Sequence, residues 1–161
     1  MAMLSIRTLP EPILRQKSKR VSGIDGSIQK LIGNMIETMH SASGVGLAAV
    51  QVGTLLRVIV IGTPGEEDIA LINPEVVRRT GERLVTEGCL SIPGYMGQIK
   101  RAESITVKGR DRNGKETRIK ADGLLAQCLQ HEIDHLNGVL YIDHVDNLFK
   151  PRNIELEEAQ L

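Results

Sequence analysis

Residues 128–138, "CLQHEIDHLNG", hold two histidines four positions apart, with a glutamate directly after the first. The surrounding segment "LLAQCLQHEIDHLNGVL" (124–140) follows a 3.6-residue period. Leu125, Leu129, Ile133 and Leu136 fall on or near one stripe, which predicts an amphipathic helix. Residues four apart on a helix lie one turn apart on the same face, so His131 and His135 can chelate one ion. Glu132 is rotated by about 100° from His131. It stands beside the pair, where a proton-handling carboxylate belongs next to a metal-bound water. The alternative is a surface helix whose His, Glu and Asp are solvated, and three fixed positions alone do not separate the two.

A third protein ligand would sharpen the choice. Cys128 lies three residues before His131 on the same face. Yet Cys128 and His135 are seven residues apart, roughly 10.5 Å along a helix axis. Ligand atoms bond within about 2.0–2.3 Å of a metal, so three successive turns do not share one ion and the third ligand comes from elsewhere. Downstream the candidates are Asp143, His144 and the acidic tail; the "HxxGxxH" extension of one peptidase class is absent, because 135 onward reads "HLNGVLYIDH". Upstream the candidate is Cys89 in "TEGCLSIPG", beside a predicted strand end. A thiolate there would favour Fe(II) or Zn(II); otherwise Cys89 is a small buried hydrophobe.

The 161 residues fit one compact domain spanning 1–161. Apolar residues make up 41% and charged residues 25%, the balance of a soluble globular protein. Lys plus Arg equals Asp plus Glu at 20 each, giving no global pull toward nucleic acid or anionic membrane, and no nucleic-acid motif is present. The longest apolar run, "VIVI" (58–61), is too short to span a bilayer. "MAMLSIRTLPEPILRQKSKR" lacks the apolar core of a signal peptide, so the expected address is cytoplasmic. Two cysteines do not make a disulfide framework. With no Trp, one Phe and two Tyr, the core is expected to be built from Ile, Leu, Val and Met.

"GSIQKLIGNMIETMHSASG" (26–44) sets Ile28, Leu31, Ile32, Met35, Ile36 and Met39 at helical spacing, a core stripe rather than a ligand box. "LLRVIVIG" (55–62) and "IALINPEVV" (69–77) read as strands around the turn "TPGEED". "RLVTEGCLSIPG" (83–94) follows. In "SITVKGRDRNGKETRIKADG" (104–123) two alternating runs flank Asn113-Gly114, a strong hairpin signal. The tail "NLFKPRNIELEEAQL", interrupted by Pro151, reads as a short acidic helix. The fold class is α+β: antiparallel β-sheets around a central HExxH helix, with an N-terminal helix and a short C-terminal helix.

Three segments then coincide. "GVGLAAVQ" (44–51), "EGCLS" (87–91) and "HEIDH" (131–135) resemble, in order, spacing and wording, the three signature motifs of the peptide deformylases, with every fixed position present. "PEPILRQKSKRV" (10–21) and the intervening strands resemble that family too, so the similarity covers nearly the whole chain. The resemblance implies a metal-dependent hydrolase that removes the N-formyl group from the formyl-methionine of newly synthesised polypeptides and releases formate. It implies Cys89, His131 and His135 as metal ligands, with a water in the fourth position attacking the formyl carbon. Fe(II) is the ion it implies, with Ni, Co or Zn able to substitute. Glu132 becomes general base and acid, while Gln51 and the Leu90 N–H stabilise the oxyanion. Gly44, Val45, Gly46, Leu124 and Cys128 are candidates for the substrate pocket. Glu87 is expected in an ion pair with Arg101, His40 at the surface, and His144 as a weak rival ligand. The partners implied are N-formyl-Met nascent peptides, with transient ribosome association, in a bacterial or organellar setting. The chain departs from the family in its tail, which lacks the long basic helix of many bacterial members and so leaves tail-mediated docking on the ribosome in doubt. Two other classes compete. A zinc endopeptidase would need a carboxylate or His as third ligand, and a structural metal module would need four protein ligands.

Overall fold

The structure is a computed structural model that describes residues 2–145 and 147–150. Helix α1 spans Gly26–Ser41. Among the described residues eight strands follow in chain order: β1 (Gly46–Ala48), β2 (Val58–Ile61), β3 (Ile69–Thr80), β4 (Arg83–Cys89), β5 (Ile92–Arg101), β6 (Ser104–Arg110), β7 (Glu116–Asp122) and β8 (Leu148–Phe149). Helix α2, Gly123–Leu136, lies between the last two. Five strands form one sheet in the order β1-β2-β3-β6-β7, and three form a second in the order β4-β5-β8; every pairing is antiparallel.

The larger sheet is buried on both faces near β2, which explains the unbroken "VIVI". Val58 and Val60 pack with Ile28, Ile32, Met35 and Met39 of α1. Ile59 and Ile61 pack instead with Ala126, Leu129, Ile133 and Leu136 of α2. Each such side chain contributes about 1.5–3 kcal/mol of apolar burial. The methionine stripe of α1 is therefore core, and α1 itself begins where the Asp25 carboxylate accepts the N–H groups of Ser27 and Ile28.

The end of α2 is fixed with equal definition. Gly138, at φ +74°, donates its N–H to His135 O, and Val139 donates to Asp134 O. These two bonds close the helix in a Schellman motif, which needs a left-handed residue at the glycine. They hold the last turn, where His135 sits.

One expectation is refined and two are corrected. Asn113-Gly114 does mark a hairpin, but only Gly114 has a positive φ. The turn is closed by Gly114 N–H to Asp111 O, while Asp111 Oδ1 accepts the N–H groups of Asn113 and Lys115. The Asp111 carboxylate thus helps close the turn that joins β6 to β7. The core is not wholly aliphatic: Tyr141 is 1% exposed, and its hydroxyl donates to Tyr95 O at 3.2 Å. Leu148–Phe149, assigned by sequence to the helical tail, is a strand on β5; the remainder of that expected C-terminal helix lies outside the described residues. Among the described residues no helix is long and apolar enough to cross a membrane.

Candidate active site

Strand β4 carries the second motif into the interior. Its pairing with β5 is regular from Arg83↔Arg101 to Gly88↔Met96, then shifts so that Cys89 opposes Ile92. The irregularity ends the strand at Cys89, which is 1% exposed. From the other side α2 brings His131 and His135, both buried. Cys89 Sγ lies 3.3 Å from His135 Nε2, and the two Nε2 atoms are 3.2 Å apart. One ligand atom from each residue lies within 4.8 Å of the other two. An ion bonded tetrahedrally to one sulfur and two imidazole nitrogens would set them about 3.3–3.6 Å apart, close to the Cys89–His135 and His131–His135 separations.

The downstream candidates go elsewhere. Asp143 pairs with Arg15 at 2.6 Å and caps Leu140, and His144, half exposed, stands 3.8 Å from Asp134. Cys128 is completely buried in the α2 core with Ala48, Val50 and Leu129, and burial pushes its thiol well up from its ordinary value. It is a packing thiol. His40 is exposed and paired with Asp68.

The histidine tautomers have clear causes. His131 Nδ1 bonds Glu87 Oε2 at 2.8 Å, which leaves Nε2 to face the cluster. Glu87 is held in turn by Arg101, Nε to Oε1 at 2.7 Å and Nη2 to Oε2 at 2.8 Å; Arg101 Nη1 reaches Asp134 on α2 at 2.7 Å. Burial pushes the Glu87 carboxyl up, but the hydrogen bonds from Arg101 and His131 outweigh it and hold it down to about 2. Burial drives His135 well below the ordinary imidazole range, keeping it neutral, as a metal ligand must be.

Glu132 differs from every other acid here. It is completely buried, and neither carboxyl oxygen has a hydrogen-bond partner among the described residues. Burial raises its carboxyl to about 7, opposed mainly by His131. A cation at the neighbouring cluster works in the same direction as His131 and favours the carboxylate. His135 Nδ1 is the other unpartnered atom of the site. Orphaned polar atoms of this kind are costly in a core, and beside a Cys-His-His cluster they suit a bound ion and its reactants.

Gln51 closes the third side, from the 3-10 turn Ala49–Val52 that follows β1. Its Oε1 accepts the Ala48 N–H at 2.9 Å, so its Nε2 points at Ser91 Oγ (3.1 Å) and Cys89 Sγ (3.8 Å). Leu90 lies against Gly44, and Gly46 against Glu132. Val45 is half-buried on the α2 core, while Leu124 is 40% exposed at the first turn of α2. Three residues escaped the sequence reading: Ser91, Asp134 and Tyr141, whose ring centroid is 6.1 Å from that of His131. Ser91 and Asp134 sit inside the motifs already quoted; Tyr141 carried no local signal.

The sequence matches the family described as "Polypeptide deformylase" over residues 3–150. A peptide deformylase of Dehalococcoides mccartyi (strain CBDB1) is 59% identical over 148 residues, covering 91% of this chain and 89% of that protein. One from Thermodesulfovibrio yellowstonii is 55% identical over 152 residues, 92% of each. Among solved structures, peptide deformylase from Ehrlichia chaffeensis in complex with actinonin superposes with a TM-score of 0.88 at 45% identity, over 91% of both chains. A peptide deformylase from Legionella pneumophila gives 0.87 at 48% identity, over 89% of this chain and 86% of that one.

Proposed function

The chain belongs to the peptide deformylase family, and we propose that Cys89, His131, His135 and Glu132 form its catalytic centre. It is an enzyme that removes the N-formyl group from the formyl-methionine of newly synthesised polypeptides and releases formate. One observation supports the placement of the chemistry above the rest: three buried metal-binding donors converge beside a buried carboxyl with no partner of its own.

Cys89, His131 and His135 would hold the ion. A divalent ion supplies Lewis acidity, lowering the pKa of water toward about 7 and polarising a carbonyl. Three protein donors rather than four is the ligand count of a catalytic site, not of a closed structural one. Glu132 accepts the proton of the attacking water and delivers it to the departing amine. Gln51, its oxygen pinned by Ala48, presents an N–H toward the centre, and together with the Leu90 N–H it stabilises the oxyanion; losing one such donor costs about 3–4 kcal/mol of barrier. Glu87 fixes His131 and Arg101 fixes Glu87. Gly44, Val45, Gly46, Leu124 and Cys128 are assigned to the pocket for the methionine side chain, with Val45 and Leu124 offering the accessible surface and Cys128 packing behind.

The finer parts of the reading are Fe(II) as the resident ion, transient association with the ribosome, a cytoplasmic setting and one catalytic domain over 1–161. One thiolate and two imidazoles suit Fe(II) and Zn(II) alike, so the choice of iron rests on family resemblance. The test is formate release from formyl-Met-Ala by anaerobically purified protein, with metal analysis. Turnover that fades in air, and does not fade in the nickel-substituted form, is expected. Air-stable activity with zinc alone would remove the iron and keep the deformylase; no formate with any of these ions would remove the deformylase.

A further inference from the structure

We propose that Gly46 is a positioning residue, the absence of its side chain being what lets the Glu132 carboxyl stand beside the Cys89–His131–His135 cluster. Gly46 acts on turnover in this way only if Glu132 carries the proton, as proposed above.

Conformation does not require a glycine here. Gly46 is not among the residues with positive φ, and it pairs regularly with Ile61 of β2. A glycine inside a strand ordinarily weakens it, so backbone preference alone would favour another residue. Space decides. Strand β1 packs directly on α2. A Cβ added to Gly46 would overlap Glu132 Oε2 and stand 3.0 Å from both Cδ and Cγ of that side chain.

The Glu132 side chain has little freedom to give way. It is completely buried, and its Cγ is rooted in α2 between the two histidines. No hydrogen bond from the described residues holds its oxygens, so packing sets where the carboxyl stands. The wall it stands against is Gly46. The other glycine of "GVG" behaves differently: a Cβ on Gly44 would meet only the side chain of Leu90, with Cδ1 at 2.6 Å and Cγ at 3.4 Å, and that flexible tip can rotate away. Of the two glycines, Gly46 alone faces a group of the proposed chemistry that cannot retreat without leaving its place. A displacement of about 1 Å at such a group costs on the order of 10²-fold in rate.

The test compares Gly46→Ala in the parent and in a Glu132→Ala background, each loaded with nickel. In the parent, Gly46→Ala should keep its metal and lose kcat by about 10²-fold, with a lowered thermal midpoint. In the Glu132→Ala background the same substitution should leave the midpoint unchanged, because Cγ, Cδ and both oxygens are gone. Should Gly46→Ala fail to fold alone, the double variant must fold. Parent-like kcat in metal-loaded Gly46→Ala would overturn the proposal. So would an equal drop in midpoint in both backgrounds. Glu132→Gln assayed beside them separates the two failures: a parent rate there removes the role given to Glu132 itself.

Discussion

The two helices of this molecule are both amphipathic and both buried against the same sheet, yet they bury different things. Helix α1 hides Ile28, Ile32, Met35 and Met39, with Asn34 and Thr38 as its buried polar residues, and Thr38 bonds the Asn34 carbonyl. Helix α2 hides Gln127, Gln130, His131, Glu132 and His135 in a span of nine residues. Apolar burial explains most of α1, whose one acid with an unpartnered buried oxygen, Glu37, is itself only half-buried. It cannot explain α2, because burying polar and ionisable groups costs free energy unless they are paired. Gln127 and Gln130 are paired with backbone carbonyls and an N–H, and His131 with Glu87. Glu132 is not. On the proposed reading, stability and chemistry are divided between the helices, and the completely buried, unpaired Glu132 marks the division.

The largest effect that would break this contrast lies at Cys89. Cys89→Ala should lose stoichiometric metal and with it turnover, while Cys128→Ala should keep both and lose only packing stability. Metal analysis of the two purified variants decides, and the reverse pattern would move the site along α2. Next comes Arg101, whose side chain is 5% exposed against a Glu87 that is fully buried. Arg101→Ala leaves Glu87 buried with His131 as its remaining partner, and should cost about 3–5 kcal/mol in denaturant unfolding. Through His131 it should also weaken metal affinity by about 10–100-fold in a competition titration.

On the other helix, Met35→Ala should cost about 2–5 kcal/mol, because Met35 is fully buried. Yet kcat per metal-loaded molecule should stay at the parent value. A fall in that specific rate would mean α1 is not merely structural. The smallest effect is expected at His40, whose pair with Asp68 is exposed; His40→Ala should change stability by less than about 1 kcal/mol and leave turnover alone.

Much of the fold was legible because periodicity reports burial directly. The stripes of α1 and α2 and the alternation of β6 and β7 are one-dimensional records of which face is covered. The HExxH spacing was legible for the same reason, since helical geometry makes His131 and His135 neighbours. Cys89 was not: it lies more than 40 positions upstream, local sequence left a buried hydrophobe as an equal reading, and motif resemblance singled it out. The chain from His131 through Glu87 and Arg101 to Asp134 joins three elements, and Asp134 within it leaves no trace in sequence spacing. The hairpin at Asn113-Gly114 was legible, but the Asp111 carboxylate that accepts the N–H groups of Asn113 and Lys115 was not. Tyr141 was missed because one tyrosine in a short 3-10 turn has no periodicity to declare it buried.

The central claim is that Glu132 is buried unpaired because it moves a proton rather than binding the ion. The measurement is formate release and metal content of Glu132→Gln, prepared and assayed beside the parent. The predicted result is parent metal stoichiometry and a parent-like unfolding midpoint, with turnover lower by about 10²–10⁴-fold. Turnover near the parent rate, or loss of the metal from this variant, would contradict it.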